Sequence, residues 1–197
     1  MRRLRRLVPA LVVLAVVSAA AIPVSGADDA PSGRRVTTLS VVRVEYTSAK
    51  SFDAVTKAIE SQLGKFDTAA FNSLMKPPLD AAKAEAGIRA MEGSSGFMLF
   101  ALRDHGQLLG LKGKDSSARQ YEVGNPLFAV EMTQADVRAG EFAPLRMYVY
   151  VATDNLTHVT YDLPSSLFGR FKSPQVDAVA KGLDQKLEKL VTNALKN

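Results

Sequence analysis

Gly96-Phe97-Met98-Leu99-Phe100-Ala101-Leu102, running into Arg103-Asp104-His105, sets the architecture of the domain. It is apolar at both odd and even positions, whereas a strand with one wet face alternates, because successive side chains point to opposite sides. The run therefore reads as a strand buried on both faces, which needs two covers. Downstream, Leu145 to Ala152 does alternate: Leu145, Met147, Val149 and Val151 point one way, Arg146, Tyr148 and Tyr150 the other. That is the pattern of a half-buried antiparallel strand, and the turn Thr153-Asp154-Asn155 with a return run His158 to Asp162 makes it a hairpin.

Working outward, Leu39 to Tyr46 is a valine-rich first strand, and Ser51 caps a helix whose Phe52, Val55, Ile59 and Leu63 share a face until Gly64. Lys65 to Gly93, broken at Pro77-Pro78, reads as two short covering helices, Ala69 to Met75 and Leu79 to Met91. After the central strand come a glycine-rich loop, Gly106 to Ser117, and a short strand around Tyr121 and Val123. Next is a short helix within Leu127 to Arg138, with Pro126 suited to its first turn. Ser173 caps a final helix, Pro174 opens it, and Val176, Val179, Leu183, Leu187, Leu190 and Ala194 form one apolar stripe that must lie on a sheet. The order predicts an α+β domain: a curved antiparallel sheet with helices on one face and a helical insert at about 65–93.

Residues 1–26 combine four arginines, an apolar run from Leu7 to Ile22 and the small residues Val24-Ser25-Gly26, the pattern of a secretory signal peptide. The expected organisation is a leader at 1–26, a flexible linker at 27–38 and a single domain at 39–197, exported to a periplasmic or extracellular space. Removing that leader lowers the formal charge from +5 to 21 bases against 20 acids. A near-neutral domain gives no electrostatic reason to expect nucleic acid, and no later run approaches the length of a membrane span. With no cysteine among 197 residues there are no disulfides, thiolate metal sites or cysteine nucleophiles, so stability comes from packing.

Several short motifs occur in one order: Ser51-Phe-Asp-Ala-Val55, Asp104-His105 after an apolar strand, Gly124-Asn125-Pro126, Pro144-Leu145 before a strand, and Tyr161-Asp162-Leu163-Pro164. Together, over roughly 41–171, they resemble the domain-of-unknown-function 302 family. The resemblance implies a fold similar to the TATA-binding-protein-like class, often seen as dimers, and no established activity. This chain departs from the family pattern in its longer insert at 65–93 and in Gly106-Gln107 after His105.

Asp104-His105 is the sharpest candidate site, a carboxylate beside an imidazole at a strand end. With Tyr161 stabilising charge, it would make a weak acid–base enzyme. Adjacent strand residues face opposite ways, however, so a bend at Gly106 is required. The ligand-binding candidates are His105, Asn125, Tyr161 and Asp162, each with a structural alternative as a cap or turn residue. No metal or cofactor is expected: a metal reading would recruit His158, Asp162 and Glu131 to Asp104 and His105 at no recognised spacing. With nucleophile elbows and phosphate-binding glycine loops missing, the leading expectation is a non-catalytic, exported binding or interaction module. The second cover of the central strand is then the insert, a second copy of the chain in a homodimer, or a small apolar ligand.

Overall fold

The computed structural model describes residues 33–196, so the expected leader at 1–26 and the expected linker up to residue 32 lie outside the described residues. Its centre is a six-stranded sheet: β1 Arg43–Ser48, β2 Gly64–Lys65, β3 Met98–Asp104, β4 Ala118–Gly124, β5 Leu145–Val151 and β6 Thr157–Asp162. The spatial order is β1-β6-β5-β4-β3-β2. All neighbours are antiparallel except β2 and β3, which pair in parallel through Gly64–Met98 and Lys65–Leu99. The expected α+β architecture is present, with the parallel edge strand as an addition. In the β5–β6 hairpin the Leu156 N–H donates to Asp154 Oδ1 at 2.9 Å, and Asn155 takes the left-handed φ of 61° that its short polar side chain tolerates.

Cross-strand register puts Val44, Tyr46, Tyr121, Val123, Leu145, Met147, Val149, Val159 and Tyr161 on one side of the sheet. Four helices pack there: α1 Phe52–Glu60, α5 Pro126–Thr133, α6 Pro164–Phe168 and α7 Pro174–Leu195. The α7 stripe predicted from sequence is buried at Val176, Leu183, Leu187, Leu190 and Ala194, and half-buried at Val179. Each large aliphatic side chain so buried contributes about 1.5–3 kcal/mol, so α7 is the main cover of this face.

The insert forms two short helices, α2 Thr68–Leu74 and α3 Ala81–Arg89, capped by Asp67 and Asp80. They pack closely enough that a Cβ on Gly87 would press on Leu74. Gly106 to Ser117 is more ordered than a loop: α4 His105–Leu109 starts directly from β3, with the Gln107 N–H donating to Asp104 Oδ1 at 2.8 Å.

The central strand is not buried on both faces along its whole length, which corrects the first reading. Met98 is fully buried, but Leu102 is 40% exposed and Arg103 is open to solvent. Two causes are visible. β2 flanks only Met98 and Leu99, so the rest of β3 is a sheet edge, and an irregularity between Leu99 and Ala101 breaks the alternation. The double cover is needed only at the Phe97–Met98 end.

At that end two chain segments cross in contact. The Phe97 carbonyl accepts from Gly64 N–H at 2.9 Å and Gly93 N–H at 3.1 Å. A Cβ on Gly64 would overlap the Met91 carbonyl oxygen, and one on Gly93 would overlap that of Gln62. Gly64→Ala is therefore expected to lose at least about 2 kcal/mol in chemical denaturation. Gly182→Ala, inside α7 with nothing within 4 Å of the new Cβ, is expected to gain about 0.5–1 kcal/mol.

Candidate functional site

Two concave features stand out, one at each face of the sheet. The first is an apolar cavity of about 270 Å³ at the end of the sheet, where β3, β4 and β5 meet α5 and the insert. Its floor is the buried set Phe97, Met132, Leu145, Phe168 and Leu183; its rim is Phe66, Phe71, Phe100, Phe128 and the exposed Pro144. Six of the nine phenylalanines in the chain line it. Their rings brace one another: Phe66 lies 4.5 Å from Phe100 and 5.2 Å from Phe71, and Phe97 meets Phe128 edge-on at 6.1 Å. Such contacts hold the walls apart, because each ring is already packed against a neighbour.

Asn125, one of the candidate ligand residues, lines this cavity but is committed elsewhere. Its amide donates to Glu92 Oε1 at 2.7 Å and to the Gly96 carbonyl at 3.0 Å, and its oxygen accepts from the Leu127 N–H at 2.9 Å. Both donors are spent on tying α5 to the turn before β3. The cavity therefore presents carbon to an occupant.

The second feature is a polar groove on the opposite face, lined by Arg43, His105, Gln120, Arg146, Tyr148, Thr160 and Asp162. Here the side chains of the sheet cover themselves. A continuous aromatic row leads out of the groove along this face: His105 meets Tyr148 edge-on at 5.8 Å, Tyr148 leans on Tyr150 at 5.6 Å, and Tyr150 stacks on His158 at 5.0 Å. His158 closes the row between two carboxylates, with Nε2 3.0 Å from Asp154 and Nδ1 3.0 Å from Glu45.

Of the residues singled out from sequence, the sheet brings His105 and Asp162 into this one groove. It separates Asp104 from His105. Asp104 pairs with Arg119 at 3.2 Å on the helical side, where Arg119 also reaches Thr56 and Glu60 of α1 and lies over the Phe52 ring. The Gln107 N–H and then Arg119 hold the Asp104 carboxyl below its ordinary range. Tyr161 belongs to the helical side as well, 3% exposed and stacked on Tyr46. Burial raises its phenol far above the ordinary value. Asp104, His105 and Tyr161 thus share no reacting centre, and even with the chain bending into α4 no hydrogen bond joins the first two. Glu131 is exposed on α5.

Sequence reasoning missed the phenylalanine cavity. From the sequence, Tyr148 and Tyr150 on the polar side of their strand could line a groove or pack under the insert helices, with packing favoured; in the structure Tyr148 lines the groove. The alternation in β5 does place Tyr148 and Tyr150 on one face; what they meet there depends on β3 and β6.

Residues 75–194 match the family model described as Domain of unknown function DUF302. The chain belongs to the DUF302 family. The match starts later and ends later than the span suggested by the sequence motifs, leaving β1, α1, β2 and α2 before it. Phe66 and Phe71 therefore come to the cavity from outside the matched DUF302 segment. Among solved structures, the fold is similar to the crystal structure of an uncharacterized conserved DUF302 protein from Bacillus stearothermophilus. The TM-score is 0.54 at 16% identity, over 77% of this chain and 97% of that one, a likeness of fold alone. No curated protein matches.

The His158 clasp has a pH signature. Hydrogen bonding to Asp154, then to Glu45, raises the His158 pKa above the ordinary 6.5. Stabilisation from the imidazolium is thus complete below about 6.5 and lost as the pH rises through the elevated folded-state value. Thermal melts of wild type and His158→Gln should differ most near pH 6, with wild type the more stable, and the difference should shrink as the pH rises through the elevated His158 value.

Proposed function

We propose that this DUF302 chain is an exported, non-catalytic binding module that holds a small apolar molecule in the phenylalanine-lined cavity. The observation that carries the reading is the cavity itself. Ligand pockets are concave and mostly apolar, and an enclosed apolar space of only about 150 Å³ is enough to take up benzene. One of about 270 Å³ has room for a one- or two-ring hydrocarbon or a short branched chain. Ligand sites are mostly apolar and largely preformed, and this one has braced rings and no uncommitted Asn125 donor.

The expected strength follows from area. An aromatic body buries roughly 150–250 Å², a gross gain of about 4–6 kcal/mol at 25 cal/mol per Å². That corresponds to dissociation constants from about 1 mM to tens of micromolar. The acid–base reading finds no support in the geometry, since Asp104 and His105 lie on opposite sides of the sheet.

The test uses 1-aminonaphthalene, a two-ring fluorophore whose emission responds to apolar surroundings, titrated into the purified protein. Wild type is expected to bind it with a dissociation constant between about 1 mM and tens of micromolar. Ala129→Leu, which puts three more carbons into the cavity, is expected to weaken binding at least about tenfold while keeping or raising Tm. Equal binding by wild type and a folded Ala129→Leu would refute the reading.

A further inference from the structure

The polar groove on the other face carries an inference independent of the apolar cavity. Register places Ala101, Glu122, Arg146, Asp162 and Arg43 in one row across the sheet: Ala101 opposite Glu122, Glu122 opposite Arg146, and Asp162 opposite Arg43. The pairing of Tyr148 with Thr160 sets Arg146 beside Asp162. Both acids flanking Arg146 are already engaged by other arginines, Glu122 by Arg103 at 2.5 Å and Asp162 by Arg43 at 2.6 Å. Among the described residues Arg146 has no carboxylate within ion-pair distance. With Arg103 reaching in from the neighbouring ladder position opposite Gln120, three guanidinium groups meet two carboxylates, and the cluster is left with one positive charge, on Arg146.

That charge sits at an aromatic wall. Tyr148 occupies the next position inward on the same strand face, half-buried, with His105 edge-on to it and Thr160 and Gln120 on either side across the ladder. A guanidinium is a planar fork that matches the two oxygens of a carboxylate. A phenol ring beside it offers a flat surface for the organic body of such an anion. Thr160 and Gln120 add neutral donors.

We infer that this groove binds a small monocarboxylate, its carboxylate held by Arg146 and its organic part laid against Tyr148. The ligand is a monoanion because the cluster supplies one unmatched charge, and it is small because the groove encloses about 370 Å³. The site is separate from the apolar cavity: no residue lines both.

The experiment titrates purified wild type and Ala129→Leu, the latter so that the apolar cavity takes up neither one-ring probe, with 4-fluorobenzoate, followed by fluorine NMR, with 4-fluorobenzamide as the neutral isostere and the two probes compared in Ala129→Leu. Benzoate is expected to bind at least about tenfold more tightly than benzamide, a difference of ~1.4 kcal/mol. Arg146→Gln is expected to erase that preference, and Arg146→Lys, which keeps the charge and loses the fork, to retain part of it. Ala129→Leu, altering only the other site, should leave benzoate binding unchanged, so failure of one reading is distinguishable from failure of the other. Equal affinity for the two probes, undiminished binding by Arg146→Gln, or no binding at 10 mM would overturn the inference. So would a doubled mass in light scattering with the benzoate site lost, which would mean that a second copy of the chain covers this face.

Discussion

The architecture depends on a one-sided packing constraint. The sheet has a single deeply apolar face, and α7 covers it with a stripe repeating at helical spacing, from Val176 to Ala194. A straight helix cannot follow a broad sheet to every corner, and α1, α5 and α6 fill the remaining area. Where that layer thins, at the Phe97–Leu145 corner, large rings take over from the close-fitting aliphatic core. Rings that brace each other at 4.5–6.1 Å resist collapse, so the corner retains a space that the insert roofs with Phe66 and Phe71.

The opposite face follows from the same constraint. With the helices on one side, the outward positions of β1, β4, β5 and β6 carry charge and aromatic rings, each paired across the ladder. Two arginines neutralise the two central acids and a third is left over. On the helical side of β4, Tyr121 is fully buried yet donates its hydroxyl to Glu60 at 2.7 Å, while Arg119 bridges Glu60 and Asp104. Burial, then the Glu60 carboxylate, drives the Tyr121 phenol far above its ordinary range. This network ties α1 to β3 and β4, which is the use the fold makes of Asp104.

Periodic elements were legible in the sequence because period is a local property. The α7 stripe, the Ser51-capped helix and the β5–β6 hairpin all fall where their spacing put them. Elements of two to five residues were not legible: β2, α4 and α6 are too short to show a period, and are specified by contacts such as the Phe97 carbonyl with Gly64 and Gly93. The cavity escaped for a similar reason. Phe66, Phe100 and Phe128 lie about thirty residues apart, and only the crossing of insert, strand and helix makes them neighbours. Asp104-His105 misled in the other direction, since residues adjacent in a strand are directed to opposite faces. Half of the His158 clasp could be read from Asp154, four residues earlier; Glu45, on the far edge strand, could not.

A crystal of the protein held under xenon pressure would show whether the phenylalanine corner is open, because xenon enters preformed apolar space and ignores polar grooves. One strong xenon peak is expected, enclosed by Phe66, Phe97, Phe100 and Phe128, with none beside Tyr148. A corner in which those rings have closed on each other, leaving no peak, would contradict that expectation.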